Sequence, residues 1–286
     1  MYRGEFFFPC PVLSLPEPIS VKEMSVGEYV SLLKFLKNNN TNDIEFYINY
    51  LIKRLVLKDS HKLNVLDKLT ILLTLRSIIL GSDVYLLSVS DNVRVRISIG
   101  DILNVLLSMK LSPPETLKEG NMQVELGYPR NFHVQDTDAF QNCLNSVSVG
   151  DAKLDFLNLT PTEQVAVVNR LPSILLKPMQ TILLKFEKEV QSEVLFRTPS
   201  EDIRLSLYDE SMIHLLKILF ADDLKAIYDM AFKLISKAHF SWSDIMSLNP
   251  AEMKIFYAQL AEENKKMNKA MTTPQSPMTA IVDSLK

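Results

Sequence analysis

The stretch LDKLTILLTLRSIILGSDVYLLSVSDNVRVRISI, residues 66–99, decides the fold class because its hydrophobic period changes midway. From Leu66 to Leu80 the apolar residues recur at helical spacing, with Leu69, Leu72, Leu73 and Ile79 as the stripe and Arg76 among them. Gly81 follows, the residue expected just past a helix end. Beyond it the period becomes two. Val84-Tyr85-Leu86-Leu87, a Ser90-Asp91-Asn92 turn and Val93-Arg94-Val95-Arg96-Ile97-Ser98-Ile99 predict a β-hairpin whose second strand has one wet face. The whole predicts an α+β protein, mainly helical, with a small antiparallel sheet and helices packed around it.

Upstream, Pro16 and Pro18 confine the chain to edge strand or turn, and Ile19 to Lys22 reads as a short extended piece. Ser25 and Glu28 form a capping box, where each side chain satisfies the other's orphan backbone donor. Val30, Leu32, Leu33 and Leu36 then follow at helical spacing. After the Asn38-Asn39-Asn40 loop, Asn42 with Glu45 offers a second cap, ahead of a stripe of Ile44, Tyr47, Ile48, Leu51 and Leu55.

Downstream, Asp101 to Met109 predicts a short helix ended by Pro113-Pro114, and Met122 to Leu126 a strand. Residues 127–150 are polar and irregular, a long loop or a strand that pattern does not assign. Thr160-Pro161-Thr162-Glu163 is a strong helix start, with its stop near Leu171-Pro172. Pro172 and Pro178 bracket a short helical piece, and Ile182 to Val190 continues in helix. Thr198-Pro199-Ser200-Glu201 repeats the capping signature, while Ile203, Leu205 and Leu207 alternate as in a strand. Glu210 to Ser236 is helical with a split at Ala221-Asp222-Asp223, and Ser241 to Leu248 and Pro250 to Lys269 are the last two helices. The expected organisation is an N-terminal α+β domain over 1–126, an irregular connection over 127–155, a helical region over 156–270 and a flexible tail over 271–286.

Composition removes several function classes. The 31 basic and 34 acidic residues give a net charge of −3, so nucleic-acid binding lacks its usual electrostatic driver. Only 7 of 286 residues are glycine, and no cluster exists to cradle a phosphate. Neither a secretory signal nor a membrane span is expected. The two cysteines, Cys10 and Cys143, could pair, but nothing in the sequence requires it, and the absence of a disulfide framework fits a reducing cytosol.

No catalytic, cofactor or metal site is expected. His61, His133, His214 and His239 fall in four different predicted elements, without metal-ligand spacing. His214 reads as a core or interface residue inside an apolar helix, and His239 as a charge near a helix end. Asp222-Asp223 and the Asp151/Asp155 pair read as solvated helix termini. The chain is therefore expected not to be an enzyme, an enzyme with a dispersed site being the rival.

The apolar run from Phe240 to Leu260 has two readings. It is a helical hairpin packed on the core, or a partner contact, since aromatics and Met are enriched at interfaces. On the second reading Trp242, Ile245, Met246, Phe256 and Tyr257 are the partner-binding residues.

Three quoted stretches carry a resemblance. They are Pro11-Val12-Leu13-Ser14-Leu15-Pro16 leading to Ile19–Glu28, the Asp67-led helix with Arg76 and a terminal Gly81, and Ser241-Trp242-Ser243-Asp244-Ile245-Met246-Ser247-Leu248-Asn249-Pro250. Together with the strands at 84–99 and 122–126 and Gly127-Tyr128-Pro129, they resemble the bacteriophage T4 baseplate hub assembly family. The resemblance implies a factor that helps build the hub by protein–protein binding, as a chaperone for tape-measure or hub proteins, in the host cytoplasm or retained in the virion baseplate. A permanent structural tail component and a cellular helical adaptor are the alternatives.

Overall fold

The computed structural model describes residues 6–38, 40–87, 94–131, 139–190, 193–197, 202–206, 210–222 and 224–272. The chain forms two compact units, one of Met1–Met24 with Val30–Asp222, the other of Ser25–Tyr29 with Asp223–Lys286.

In the larger unit, β1 (Phe7–Cys10) pairs antiparallel with the expected β2 (Ile19–Lys22). β1 escapes sequence reading because three consecutive phenylalanines show no alternation. α1 (Val26–Leu36) starts as predicted: Glu28 N–H donates to Ser25 Oγ at 3.2 Å, and Ser25 N–H to Glu28 Oε2 at 2.9 Å. α2 (Thr41–Leu55) buries the whole predicted stripe, but its cap is Asn40 rather than Asn42. Asn40 has the extended backbone a cap needs, and its Oδ1 accepts from Asn42 N–H at 3.0 Å. Glu45, expected to complete the cap, is instead buried.

α3 (Val65–Leu80) is the centre of the core. Leu66, Leu69, Ile71, Leu72, Leu73 and Leu75 are all fully buried, so this helix is apolar nearly all round. Truncating one of them to Ala costs about 2–5 kcal/mol through lost transfer energy and a residual cavity. Gly81 ends the helix at φ +88°, where a side chain is strained. Arg76 survives in this core because its Nε–H donates to the Leu219 carbonyl and its Nη1 to the Gly81 carbonyl, at 2.5 and 2.7 Å.

β3 (Asp83–Leu87) and β4 (Arg94–Ser98) pair antiparallel as predicted, although the turn at 90–92 lies outside the described residues. α4 (Ile99–Ser108) follows, capped by Ser98. A four-stranded antiparallel sheet comes next, in the order β5 (Glu115–Glu119), β6 (Met122–Leu126), β7 (Leu144–Val149), β8 (Ala152–Asp155). The irregular connection expected over 127–155 is therefore structured in part: α5 (Ala139–Cys143), β7 and β8 lie within it. Its strands hide from pattern reading because the β6–β7 register shifts between Glu125 and Leu126, which breaks the alternation; Ser146 on the polar face is satisfied by donating to Glu125 at 2.9 Å.

α6 (Pro161–Val168) carries the predicted Thr160–Glu163 capping box. α7 (Ser173–Val190) corrects the expected break at Pro178, which lies inside one continuous helix. Pro178 is the sixth helical residue, so the only bond it forfeits is one to the first turn. The buried stripe Leu175, Met179, Ile182, Phe186 and Val190 runs through it and outweighs that loss. The capping signature at 198–201 lies outside the described residues. β9 (Glu193–Arg197) pairs with β10 (Asp202–Ser206), the latter foreseen by alternation. α8 (Glu210–Leu219) turns Met212, Ile213, Leu215 and Leu216 inward and leaves His214 exposed, which removes its core reading.

The smaller unit holds α9 (Leu224–Ala238), α10 (Trp242–Ser247), α11 (Pro250–Thr272) and the first turn of α1. Val26 N–H donates to the Leu248 carbonyl at 2.7 Å. Ile227, Ala231, Leu234, Ile245, Leu248 and Met253 form its core. The tail from 273 onward lies outside the described residues. The protein is thus α+β and mainly helical, the strands among its described residues forming four small antiparallel sheets rather than one.

Candidate partner-binding surfaces

In the smaller unit the chain leaves α9 through His239, which adopts φ +58° one residue past the helix end. It re-enters helix at once because Ser241 and Asp244 cap each other: Asp244 N–H donates to Ser241 Oγ, and Ser241 N–H to Asp244 Oδ2, both at 3.1 Å. Asn249 Oδ1 then accepts from Glu252 N–H at 2.7 Å and starts α11. These two caps fix how the two helices present their aromatic residues.

Trp242 is 49% exposed and stacks on Tyr228 of α9, with ring centroids 6.1 Å apart and planes 11° from parallel. Phe232, one helical turn beyond Tyr228 on the same face, is 68% exposed. Phe256 packs on Phe240 with centroids 5.3 Å apart. Tyr257 accepts a hydrogen bond from Lys233 Nζ at 3.0 Å, and this contact pushes the Lys233 ammonium pKa upward. Of the five residues expected to touch a partner, Trp242, Met246, Phe256 and Tyr257 retain exposed surface. Ile245 is fully buried and belongs to the unit's core. Sequence reading missed Tyr228 and Phe232; their i, i+4 spacing on α9 was the available signal.

The larger unit has a cleft of about 440 Å³. Its floor is the polar face of the four-stranded sheet: Glu125 lies opposite Ser146, and Ser146 opposite Asp155. Leu13 to Leu15, Asn64, Tyr128 and Arg130 contribute walls. Two networks hold those walls. Asp67 accepts from Leu13 N–H at 2.7 Å, from Ser14 N–H at 3.1 Å and from the Ser14 hydroxyl, pinning the segment after β1. Burial pushes its carboxyl pKa up, and the Ser14, Asn64 and Leu13 hydrogen bonds pull it partly back.

Lys68 is the second anchor. Its Nζ donates to Asn49 Oδ1 at 2.7 Å and to the Arg130 carbonyl, and burial depresses its pKa to about 8. Arg130 itself donates to the carbonyls of Gln141 at 2.7 Å and Leu144 at 3.1 Å, and burial brings its pKa down to about 10. Gly127 approaches so closely that a Cβ there would lie 2.6 Å from Asn145 Nδ2.

Cys10 and Cys143 are free and buried, and burial raises their thiol pKa values to about 11 and about 12. No cluster of three metal-ligating side chains occurs among the described residues, and no described helix is long and apolar enough to cross a membrane.

Residues 10–201 match the family model described as T4 bacteriophage base plate protein. The match spans most of the chain, and the protein belongs to that family. It is accordingly a component of the phage baseplate system, where its contacts are with other tail proteins. Neither the curated proteins nor the solved structures contain a match to it.

Proposed function

We propose that the protein is a non-catalytic baseplate hub and tail assembly factor that captures other tail proteins, hub or tape-measure proteins foremost, through the aromatic face of its smaller unit. The observation that carries this reading is the Trp242–Tyr228 stack with Phe232 one turn away, all with exposed surface. Trp, Tyr and Phe dominate the energetics of interfaces because they bury large rigid area at little entropic cost. A face of this kind suits an amphipathic helix of a partner.

The test is affinity capture of the tagged chain during phage production, read by mass spectrometry, with Trp242→Ala/Phe256→Ala alongside. Recovery of hub or tape-measure proteins by the wild type, lost in a folded double variant, supports the reading. Recovery of the bait alone sinks it, and an unfolded double variant assigns both residues to the core. Purified particles divide two roles: absence of the chain marks an assembly factor, and fixed stoichiometry marks a permanent baseplate part.

A further inference from the structure

The cleft of the larger unit contains an imbalance of hydrogen-bonding groups. Asn64 is only 4% exposed and lines the cleft. Its Oδ1 is taken by the Asp67 N–H at 2.9 Å, while its Nδ2 is buried with no partner among the described residues. A buried donor left unmade costs roughly 1–3 kcal/mol, a cost that a ligand's acceptor removes. Arg130 lines the same cleft. Its described hydrogen bonds run to two main-chain carbonyls and to the Asn145 side-chain oxygen, and no carboxylate pairs with it among the described residues. A largely desolvated guanidinium without a counter-charge is incomplete in the same sense as the orphan amide. Both deficits call for one chemistry, an anionic oxygen acceptor. The carboxylates already in the cleft do not meet it: Glu125 is occupied by Ser146 and Lys153, and Asp155 by Leu157 N–H and Asn158.

We propose that this cleft receives a carboxylate-bearing extended segment of a partner protein, held by Arg130 and Asn64. The floor suits such a segment, since the exposed Lys153 ammonium, which spends one donor on Glu125, keeps others for main-chain carbonyls of the guest. This surface belongs to the larger unit alone, within the family-matched residues, and the inference stands whether or not the aromatic face of the smaller unit captures anything.

The test follows the Asn64 side-chain NH2 and Arg130 Nε–H signals of the full chain by NMR. The probes are acetyl-Gly-Glu-Gly-Glu-Gly-amide, its Gln counterpart and inorganic phosphate. The Glu peptide shifts both signals and binds roughly tenfold tighter than the Gln peptide, the value of one charge-assisted contact. Asn64→Ser keeps an oxygen to cap α3 and deletes the orphan donor. It leaves the unfolding midpoint unchanged or higher and weakens the Glu peptide roughly tenfold. Arg130→Lys weakens it similarly, because a point charge replaces the fork; where that variant fails to fold, Asn64→Ser decides alone. Equal binding of the two peptides, tighter binding of phosphate than of the Glu peptide, or wild-type affinity in Asn64→Ser each overturns the proposal.

Discussion

The cleft of the larger unit and the aromatic face of the smaller one are built by opposite means. The cleft walls are held by buried polar groups: Asp67 gathers Leu13 and Ser14, and Lys68 ties α2 to the segment at Arg130. Removing one partner there leaves others desolvated and unpaired, so each polar residue is costly to change. The aromatic face is half wet: Trp242 is 49% exposed and stacks on Tyr228 rather than entering the buried core of its unit. The contrast teaches that a surface made for binding need not be a surface the fold requires, and stability measurements separate the two.

The largest effect is expected from Asp67→Ala. It removes the reciprocal cap of α3 and the acceptor for Leu13 and Ser14 together. A loss of about 3 kcal/mol or more in urea unfolding follows from a cap plus stranded buried donors. Trp242→Ala should cost no more than about 1.5 kcal/mol, the scale of one exposed aromatic pair. Equal losses for the two variants would break the comparison and make Trp242 structural.

The two regions also differ in how readily the sequence discloses them. The Ser241–Asp244 box, the Asn249-Pro250 start and the stripe around Leu72 are local signals of spacing and capping, and the helices they announce occur where pattern places them. The cleft is assembled from residues such as Leu13, Asn64, Arg130 and Asp155, far apart in the chain, and no local period brings them together. The register of its strand β7 against β6 shifts between Glu125 and Leu126, so alternation fails there. The same limit explains Ile245: an apolar position beside Trp242 looks equally suited to a partner, and only the helix packing shows that it points into the core.

A middle-sized effect sharpens the account of the cleft through pH. Burial holds the Lys68 pKa at about 8 against an ordinary 10.5, so protonated Lys68 is disfavoured in the folded chain. Below about 8 both states carry the proton and the penalty is complete. Between about 8 and 10.5 the unfolded chain keeps a proton that the folded chain has lost, so stability rises with pH across that window. Lys68→Met lacks this titration. The melting temperature of the wild type should therefore gain on that of the variant from pH 8 to 10, measured in parallel scans. A difference that stays flat means that Lys68 is not desolvated, and the wall it supports is open to water.

The smallest effect belongs to Tyr257→Phe in the smaller unit. The variant removes the hydroxyl that accepts from Lys233 Nζ but keeps the ring, whose centroid lies 5.4 Å from that ammonium. Lys233 is solvated, water replaces the lost hydrogen bond, and the cation still sits over an aromatic face. The melting temperature should stay within about 2 °C of the wild type. Capture of tail proteins then reports on the hydroxyl alone. Undiminished capture confines the contact to the rings of Trp242 and its neighbours. A fall in capture at constant stability adds the Tyr257 hydroxyl to the binding face.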